Sequence, residues 1–590
     1  MAISHIQTTV VIADLETYSE IHSWSGTIAA TIAPINGVPL IWHTITQLHG
    51  AGFTQIIVAT RSTRTIEAIG RCSDNRIKIE FVHPDILDGR LGPLFAAARS
   101  SLAGAVLFIS ANTAISSKFP WSIFRDSEEN LRLDGSDSKP APESDTGLDS
   151  FDLRHCAICF LGLASVGRLI GVLDQSPSDL DGEIAALTGN VVTVHPNSFT
   201  ALADAVDLEI ANFLSSPDDV RFERLSAGSG GYWSRPVREH LLLCNNFFPP
   251  KVFFDRLGNR LQAVLRLYPS AQGHVAKQVG DMTGHAVERV AVGNGVADLI
   301  QALYSVVEPV LAIPTPTFDG FQIAVPPERV NCFELPEPNF DLDVDAFAEF
   351  ASKNRATLAV VVNPNNPSGR LVDGRAIRRL AQKLGAFGCR LVVDESFIDF
   401  PDGGLAHSLE PHLLDHPNLI VMKSLGKIWG LGGVRLGYML TADTDLVALV
   451  RQRLPMWNVN GVTEYTLWLI PEFQNELRES LERIRMERDW FENALRKIDG
   501  MTVVPSSTNY VLSKLPPNWP SGSSLKRLLA TKYNTLIREC SYQTMRDSDR
   551  YIRLTVRSRD ENAELIKTLL EAAATVGARS SNTIGGSGFP

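Results

Sequence analysis

The runs "LAVVVNPNNPSG" (358–369), "RLVVDESFIDF" (390–400) and "NLIVMKSLGK" (418–427) constrain the fold of this chain more than any other feature. Each opens on a short unbroken apolar stretch and then stops abruptly in polar residues. Apolar strands without polar alternation are buried on both faces, which predicts a mostly parallel sheet covered by helices. In open sheets of this kind ligands bind beyond the carboxyl ends of the strands, where these polar endings fall. "ERVAVGNGVADLIQAL" (288–303) adds strand, glycine turn and helix. The fold class is α/β.

A chain of 590 residues is too long for one ordinary core, so at least two domains are expected. The first part alternates the strands "TTVVIADL", "TQIIVATR" and "AVLFISAN" with the helix "PLIWHTITQLHGAG", as a Rossmann-like domain over 1–222 does. Within it, "SEENLRLDGSDSKPAPESDTGLDS" (127–150) is polar and rich in Ser, Asp and Pro, and reads as a disordered insertion. Apolar alternation resumes at "CAICFLGL" and ends with the helix-like "FTALADAVDLEIANFL". The second domain runs over 223–576. After about residue 440 it turns helical ("EFQNELRESLERIRMERDWFENALRKI") and then gives the strands "TNYVLSK" and "RYIRLTVRS", a smaller C-terminal lobe. The Ser/Gly-containing tail 577–590 reads as unstructured.

A formal charge of −11 argues against a nucleic-acid partner. No apolar run reaches the ~20 residues of a membrane span, and the N-terminus lacks a basic region followed by an apolar one. Seven scattered cysteines suit reduced thiols in a cytoplasm. Cys156 and Cys159 form a CxxC with no second pair, which favours a buried strand over zinc, and no metal site is expected.

The polar strand ends can meet in one pocket. Lys427, between glycines, can form a Schiff base with an aldehyde once partly desolvated. Asp394 could keep a heterocyclic nitrogen protonated, and Asn366 could donate to a phenolate oxygen. "GNGVAD" sets the amides of Gly295, Val296 and Ala297 at a helix N-terminus, an anion site. Ser424 and Arg435 flank the lysine and could complete a phosphate cradle, while Phe318 in "PTPTF" could stack on a ring. Taken singly, Asp394 reads better as a strand-end cap, "GNG" as a turn and Phe318 as core. Together they describe pyridoxal phosphate.

In order and spacing, "GNG…PTPTF…NPNNPSG…DESF…SLGKIWGLGGVRLGY" resembles the fold-type I, class I/II aminotransferase superfamily over about residues 235–575. Within it the chain is similar to threonine-phosphate decarboxylases and histidinol-phosphate aminotransferases. "DESFIDF", "PMWNVN" and "LIRECSYQTMRDSDRYIRLTVRSRDEN" look more like the decarboxylases. The resemblance implies that Arg553 grips a substrate carboxylate and that Arg538 binds a substrate phosphate or phosphonate. It places Asn245, Asn458 and Asn509 on the substrate side. It also implies a homodimer in which Tyr268 reaches the neighbouring subunit's cofactor phosphate. Phe397 stands where many transaminases carry a tyrosine bonded to the cofactor O3′, leaving Asn366 as the main donor there. Ser229 in "SGGYW" replaces a histidine of the decarboxylases, so the substrate stays open.

"APINGVPLIWHTITQLHGAGFTQIIVATR" resembles the nucleotidyltransferase fold, with Gly37 and Pro39 in place. "VVIADLETYSEIHSW" lacks the Gly-rich loop of active members, no lysine precedes Lys78, and Asn112 stands where a metal aspartate is expected. Without a triphosphate cradle the reaction loses its electrostatic stabilisation, so a degenerate domain is expected. The chain thus reads as a cytoplasmic, dimeric pyridoxal-phosphate enzyme acting at Cα of an amino acid with a second anion, by decarboxylation. The alternatives are transamination, or a bifunctional nucleotidyltransferase/decarboxylase of phosphonate biosynthesis. Sequence does not show which Cα bond stands perpendicular to the cofactor ring. A cofactor-sensing regulator would need a DNA-reading domain, and none is visible.

Overall fold

The computed structural model describes residues 205–227 and 230–582 continuously, and before residue 205 a set of separate segments, chiefly 38–53, 55–72 and 77–83 with short strands. The chain divides into two compact units, Met1–Pro236 and Val237–Pro590.

The first unit holds a seven-stranded sheet in the order Val191–Thr193, Leu131–Asp134, Ile158–Leu161, Ala105–Ser110, Thr8–Ala13, Gln55–Ala59, Ile79–Val82. Thr8–Ala13 is parallel to both its neighbours, and Ile158–Leu161 is antiparallel to both of its own. The order of strands along the chain therefore reverses between Thr8–Ala13 and Ala105–Ser110. Helix Leu40–Gly50 buries Leu40, Ile41, Ile45 and Leu48, an i, i+1, i+5, i+8 stripe. Three expectations are corrected. Leu131–Asp134, inside the supposed disordered insertion, is a strand, because "LRL" alternates against the apolar Ile158–Leu161. "FTA" at the head of the supposed helix is a strand paired with Thr113–Ile115, and the helix begins at Ala205. Residue 223 lies within helix Asp218–Ala227, and the two units part after Pro236. Cys156, Gly37, Asn112, Ser229 and the rest of 127–150 lie outside the described residues.

The second unit is built on a seven-stranded sheet ordered Val290–Gly293, Gly437–Thr441, Leu419–Ser424, Arg390–Asp394, Leu358–Val362, Leu311–Thr315, Val330–Glu334. Gly437–Thr441 alone runs antiparallel to its neighbours. The apolar runs divide by the two-residue period of a strand. Ala359, Val361, Leu391, Val393, Leu419 and Val421 enter one core, while Leu358, Val360, Val392, Ile420 and Met422 enter the core on the other face. Burial on both sides is why no polar residue interrupts these strands until their carboxyl ends.

The C-terminal lobe is a five-stranded sheet ordered Arg238–His240, Thr535–Glu539, Tyr551–Thr555, Tyr510–Lys514, Thr502–Val503. It packs through Val511, Ile537, Ile552 and Leu554 on Phe491 and Leu495 of helix Gln474–Leu495, and on Leu565 and Leu569 of helix Arg559–Asn582. That last helix continues through the residues expected to begin an unstructured tail; 583–590 lie outside the described residues. No helix among the described residues is long and apolar enough to cross a membrane.

Candidate active site

Helix Val296–Val307 begins at Gly295 (φ 81°) with no side-chain cap. The Gly295 amide is not available to a ligand, since it donates to Gly293 O at 2.7 Å. Of the three amides expected there, Val296 and Ala297 remain at the uncapped end. A Cβ on Gly295 would stand 2.6 Å from Arg435 Nη2, and one on Gly437 would stand 2.7 Å from Val296 N. Only glycines permit this approach, and it brings a guanidinium onto the positive end of a helix dipole. Arg435, itself held in a left-handed conformation (φ 62°), has one weak bond, to Gly432 O at 3.4 Å. Two positive elements brought together form a cup that suits an anion, and Asp298 in the first turn of the helix is engaged by Asn294 N–H at 3.1 Å and Asn458 Nδ2 at 3.3 Å.

Ser424 closes its strand beside this cup, and Lys427 follows on the helical turn Leu425–Ile428. Lys427 Nζ lies 3.5 Å from Ser424 Oγ. Burial lowers the pKa of its ammonium, which Asp394 and Cys244 oppose and the cations of Arg435 and Arg553 assist. A lysine biased towards its neutral amine is a competent nucleophile. On the adjacent strand, Asp394 Oδ1 accepts from Ser396 N at 2.9 Å and Ser396 Oγ at 2.5 Å. Ser396 Oγ in turn accepts from Ser424 N at 2.9 Å, tying the two strand ends together. Burial pushes the Asp394 carboxyl up, and the Ser396 bonds and Lys427 pull it back. An enclosed carboxylate of this kind is poised to hold a cationic N–H.

Asn366 Oδ1 accepts from Arg553 Nη1 at 2.7 Å. This bond fixes the sense of the amide and leaves its NH2 as the donor, the role the sequence assigns it. Phe397 is buried with its ring edge-on to Tyr510 (5.1 Å, 82°). Phe318 is half-buried, edge-on to Phe321 (6.0 Å, 90°) at the end of its strand.

Arg553 and Arg538 face each other on adjacent antiparallel strands. Arg553 is buried, with neutral partners only: Asn366 Oδ1, and Leu241 O at 2.8 Å. Its Nε has no partner. Burial lowers its pKa, and nearby Arg538 adds to the effect. A buried, incompletely satisfied guanidinium calls for an anion.

The asparagines divide. Asn509 is fully buried, donates to Cys244 O at 3.2 Å and leaves Oδ1 without a partner. Asn245 is spent on the chain. Its Nδ2 donates to Ile428 O (3.0 Å) and Ser480 Oγ (2.8 Å), its Oδ1 accepts from Phe247 N (3.0 Å), and its backbone N–H holds Lys427 O (2.8 Å). It supports the lysine turn instead of facing a substrate. Asn458 is likewise occupied, by Val292 O, Asp298 Oδ2 and Gln272 Nε2. Tyr268 is 80% exposed and stacks on Trp457 (4.5 Å, 26°), among exposed Leu265, Leu267 and Trp468. Ser396, absent from the sequence reading, was signalled by its place two residues past a strand-end aspartate.

Behind Asp394 lies a second acidic group. Glu395 is fully buried, with Oε2 accepting from Ser408 Oγ and Oε1 from Leu409 N, both at 2.6 Å. Burial and the neighbouring Glu410 push its carboxyl up to about 8. The folded chain therefore keeps a proton that the unfolded chain releases above about 4.5. Glu395 thus costs stability at about 1.4 kcal/mol per pH unit as pH rises towards 8, and no more beyond it. Glu395→Gln should gain stability relative to the parent between pH 5 and 8 in denaturant titrations. Parallel pH dependences would contradict this.

Residues 263–569 match the family model of aminotransferase class I and II, and the chain belongs to that family. Its members are pyridoxal-phosphate-dependent enzymes. The chain is 36% identical to "Uncharacterized protein y4rO" of Sinorhizobium fredii over 93% of both chains. It is 34% identical to the CMP-5'-(3-aminopropyl)phosphonate synthase of Streptomyces rubellomurinus over 65% of this chain and 60% of that one. It is 32% identical to the L-serine phosphate decarboxylase of Sulfurospirillum multivorans over 53% of this chain and 80% of that one.

Proposed function

We propose that the protein is a pyridoxal-phosphate decarboxylase of an amino acid that carries a phosphate or phosphonate as its second anion. The observation that carries this reading is the pair of facing arginines, Arg553 and Arg538, neither ion-paired among the described residues, with Arg553 near enough to Lys427 to act on its charge. The residues present fit the cofactor. Arg435, Ser424 and the amides of Val296 and Ala297 would hold its phosphate, Asp394 its ring nitrogen, Asn366 Nδ2 its phenolate oxygen, and Phe318 a ring face. Bound through its aldehyde to Lys427, pyridoxal phosphate supplies an electron sink for the pair left at Cα when a bond there breaks. Arg553 takes the α-carboxylate and Arg538 the distal anion. Breakage of the Cα–carboxyl bond would release carbon dioxide, and Lys427, carrying the proton given up by the substrate's ammonium, would deliver it to Cα in place of the carboxyl group. The relatives named for phosphonate and serine-phosphate substrates support the choice of anion.

Arg538→Ala should weaken phosphate- or phosphonate-bearing substrates by about 2–5 kcal/mol, through loss of a charge-assisted contact, and barely affect an analogue without that anion. Arg553→Ala should damage every α-amino acid. Carbon dioxide without keto acid, and without need for an amino acceptor, marks decarboxylation. Keto acid formed only with an acceptor marks transamination, the second reading, which the same contacts serve. Equal damage by Arg538→Ala to anionic and neutral substrates would make that arginine structural.

The exposed apolar surface around Tyr268 suits a homodimer, and Cys72, Cys244, Cys332, Cys389 and Cys540, all free thiols, suit a cytoplasmic enzyme. The first unit reads as a degenerate nucleotidyltransferase-like domain. Its strand order reverses beside Thr8–Ala13, where such sheets form a ligand crevice. The full-length protein given each nucleoside triphosphate, magnesium and a phosphonate acceptor should release no pyrophosphate. Clear release would restore the bifunctional reading.

A further inference from the structure

Asp394 is hydrogen-bonded on one side only. Ser396 N and Ser396 Oγ both donate to Oδ1, at 2.9 and 2.5 Å, and Oδ2 takes no hydrogen bond among the described residues. The direction of the hydroxyl bond is fixed by the other contact that hydroxyl makes. Ser396 Oγ accepts from Ser424 N at 2.9 Å, so its single proton points away from that amide, onto Asp394 Oδ1. Asp394, Ser396 and Ser424 are 4%, 3% and 6% exposed, which leaves little room for water to supply these donors instead.

A buried carboxyl group tends to keep a proton, and donors aimed at its oxygen favour the charged form. Lys427 acts in the same sense as Ser396. That support is not constant, because Lys427, on the proposed function, is joined to the cofactor and freed from it in every turnover. The two Ser396 donors stay in place throughout. Without them, burial would draw the shared proton from the ring nitrogen onto the carboxyl group and leave a neutral pyridine. We propose that Ser396 is a positioning residue that keeps Asp394 ionised, with Oδ1 turned to the protein and Oδ2 free for the ring nitrogen of the cofactor. This rests on the reading of Asp394 as the ring-nitrogen partner and deepens it: Asp394 supplies the charge, and Ser396 keeps it there.

The test is nitrogen NMR of the full-length holoenzyme, reconstituted with pyridoxal phosphate that carries an isotopically labelled ring nitrogen. The parent should give the resonance of a protonated pyridine. Ser396→Ala should lower the ratio of protonated to unprotonated nitrogen by about 10- to 100-fold, the worth of a hydrogen bond to a charged group, and move the resonance towards that of a neutral pyridine. Ser396→Thr keeps the hydroxyl and should restore it. In the Asp394→Asn background the nitrogen should already be unprotonated, and Ser396→Ala should move it no further. A resonance unmoved by Ser396→Ala, moved as far by Ser396→Thr, or moved as far in the Asp394→Asn background as in the parent overturns the proposal. Should the phosphorus resonance of the cofactor change while the ring nitrogen does not, Ser396 is a structural tie for Ser424 and nothing more. A ring nitrogen unprotonated in the parent itself would remove Asp394 from its assigned place, and the role of Ser396 with it. The measurement needs no substrate, so its outcome is independent of the choice between decarboxylation and transamination.

Discussion

Lys427→Ala protein should fold as the parent does, yet lose all turnover together with the visible absorbance of lysine-linked cofactor. The fold should survive because the Lys427 side chain is only partly buried and makes one long bond, 3.5 Å to Ser424 Oγ. Its turn is held through backbone groups, with Asn245 N–H on Lys427 O and Trp429 N–H on Leu425 O. Removing the side chain takes one long contact from buried Ser424 Oγ and a nearby cation from Asp394, a loss within the about 0.5–3 kcal/mol range of ordinary single substitutions. Activity has no comparable reserve on the proposed reading, in which one amine is both covalent anchor and proton donor at Cα. Borohydride reduction of the parent followed by peptide mapping should mark Lys427. A reducible link found at another lysine in the Lys427→Ala protein would refute the assignment.

Asp394→Asn should retain the cofactor and lose about a thousandfold in kcat, on the scale of removing one preorganised electrostatic contact. The amide can keep Oδ1 in the bonds from Ser396 N and Oγ, so the turn that joins Asp394 to the Ser424 strand is preserved. What it lacks is the charge that, on the same reading, keeps the ring nitrogen protonated, and a neutral pyridine is a poor electron sink. Cofactor binding measured by equilibrium dialysis should therefore change little while turnover collapses. Loss of both together would make Asp394 an anchor for the cofactor, with no special role in the chemistry.

The central sheet and the lysine turn were legible because both-face burial leaves an unambiguous mark: apolar residues until the strand ends, polar ones after. While Arg435 was reached by its spacing from Lys427, the same logic pointed to Asp394 and Asn366. It failed where one residue type serves two purposes. Asn245 and Asn458 look no different in sequence from Asn509, yet their amides are consumed by backbone carbonyls and Ser480, or by Asp298 and Gln272. The Gly295 amide was expected in the anion cup, but a turn back to Gly293 O occupies it. Composition alone made 127–150 look structureless, while pairing with a strand 27 residues further on, Leu131 against Phe160 among others, gives "LRLD" its conformation.

Arg238–His240 is a short strand with a long-range partner, Thr535–Glu539. The opening residues of the second unit thus form the edge of the sheet that carries Arg538 and Arg553. During synthesis this edge must wait for almost the whole of the unit to leave the ribosome before its neighbour exists. The strands around Lys427 and Asp394 meet partners much closer along the chain, so they can pair sooner. The cofactor end of the pocket therefore has the means to assemble first, and the substrate end last. A chain truncated before Thr535 would lack both strands that carry Arg538 and Arg553, and with them the partner of Arg238–His240.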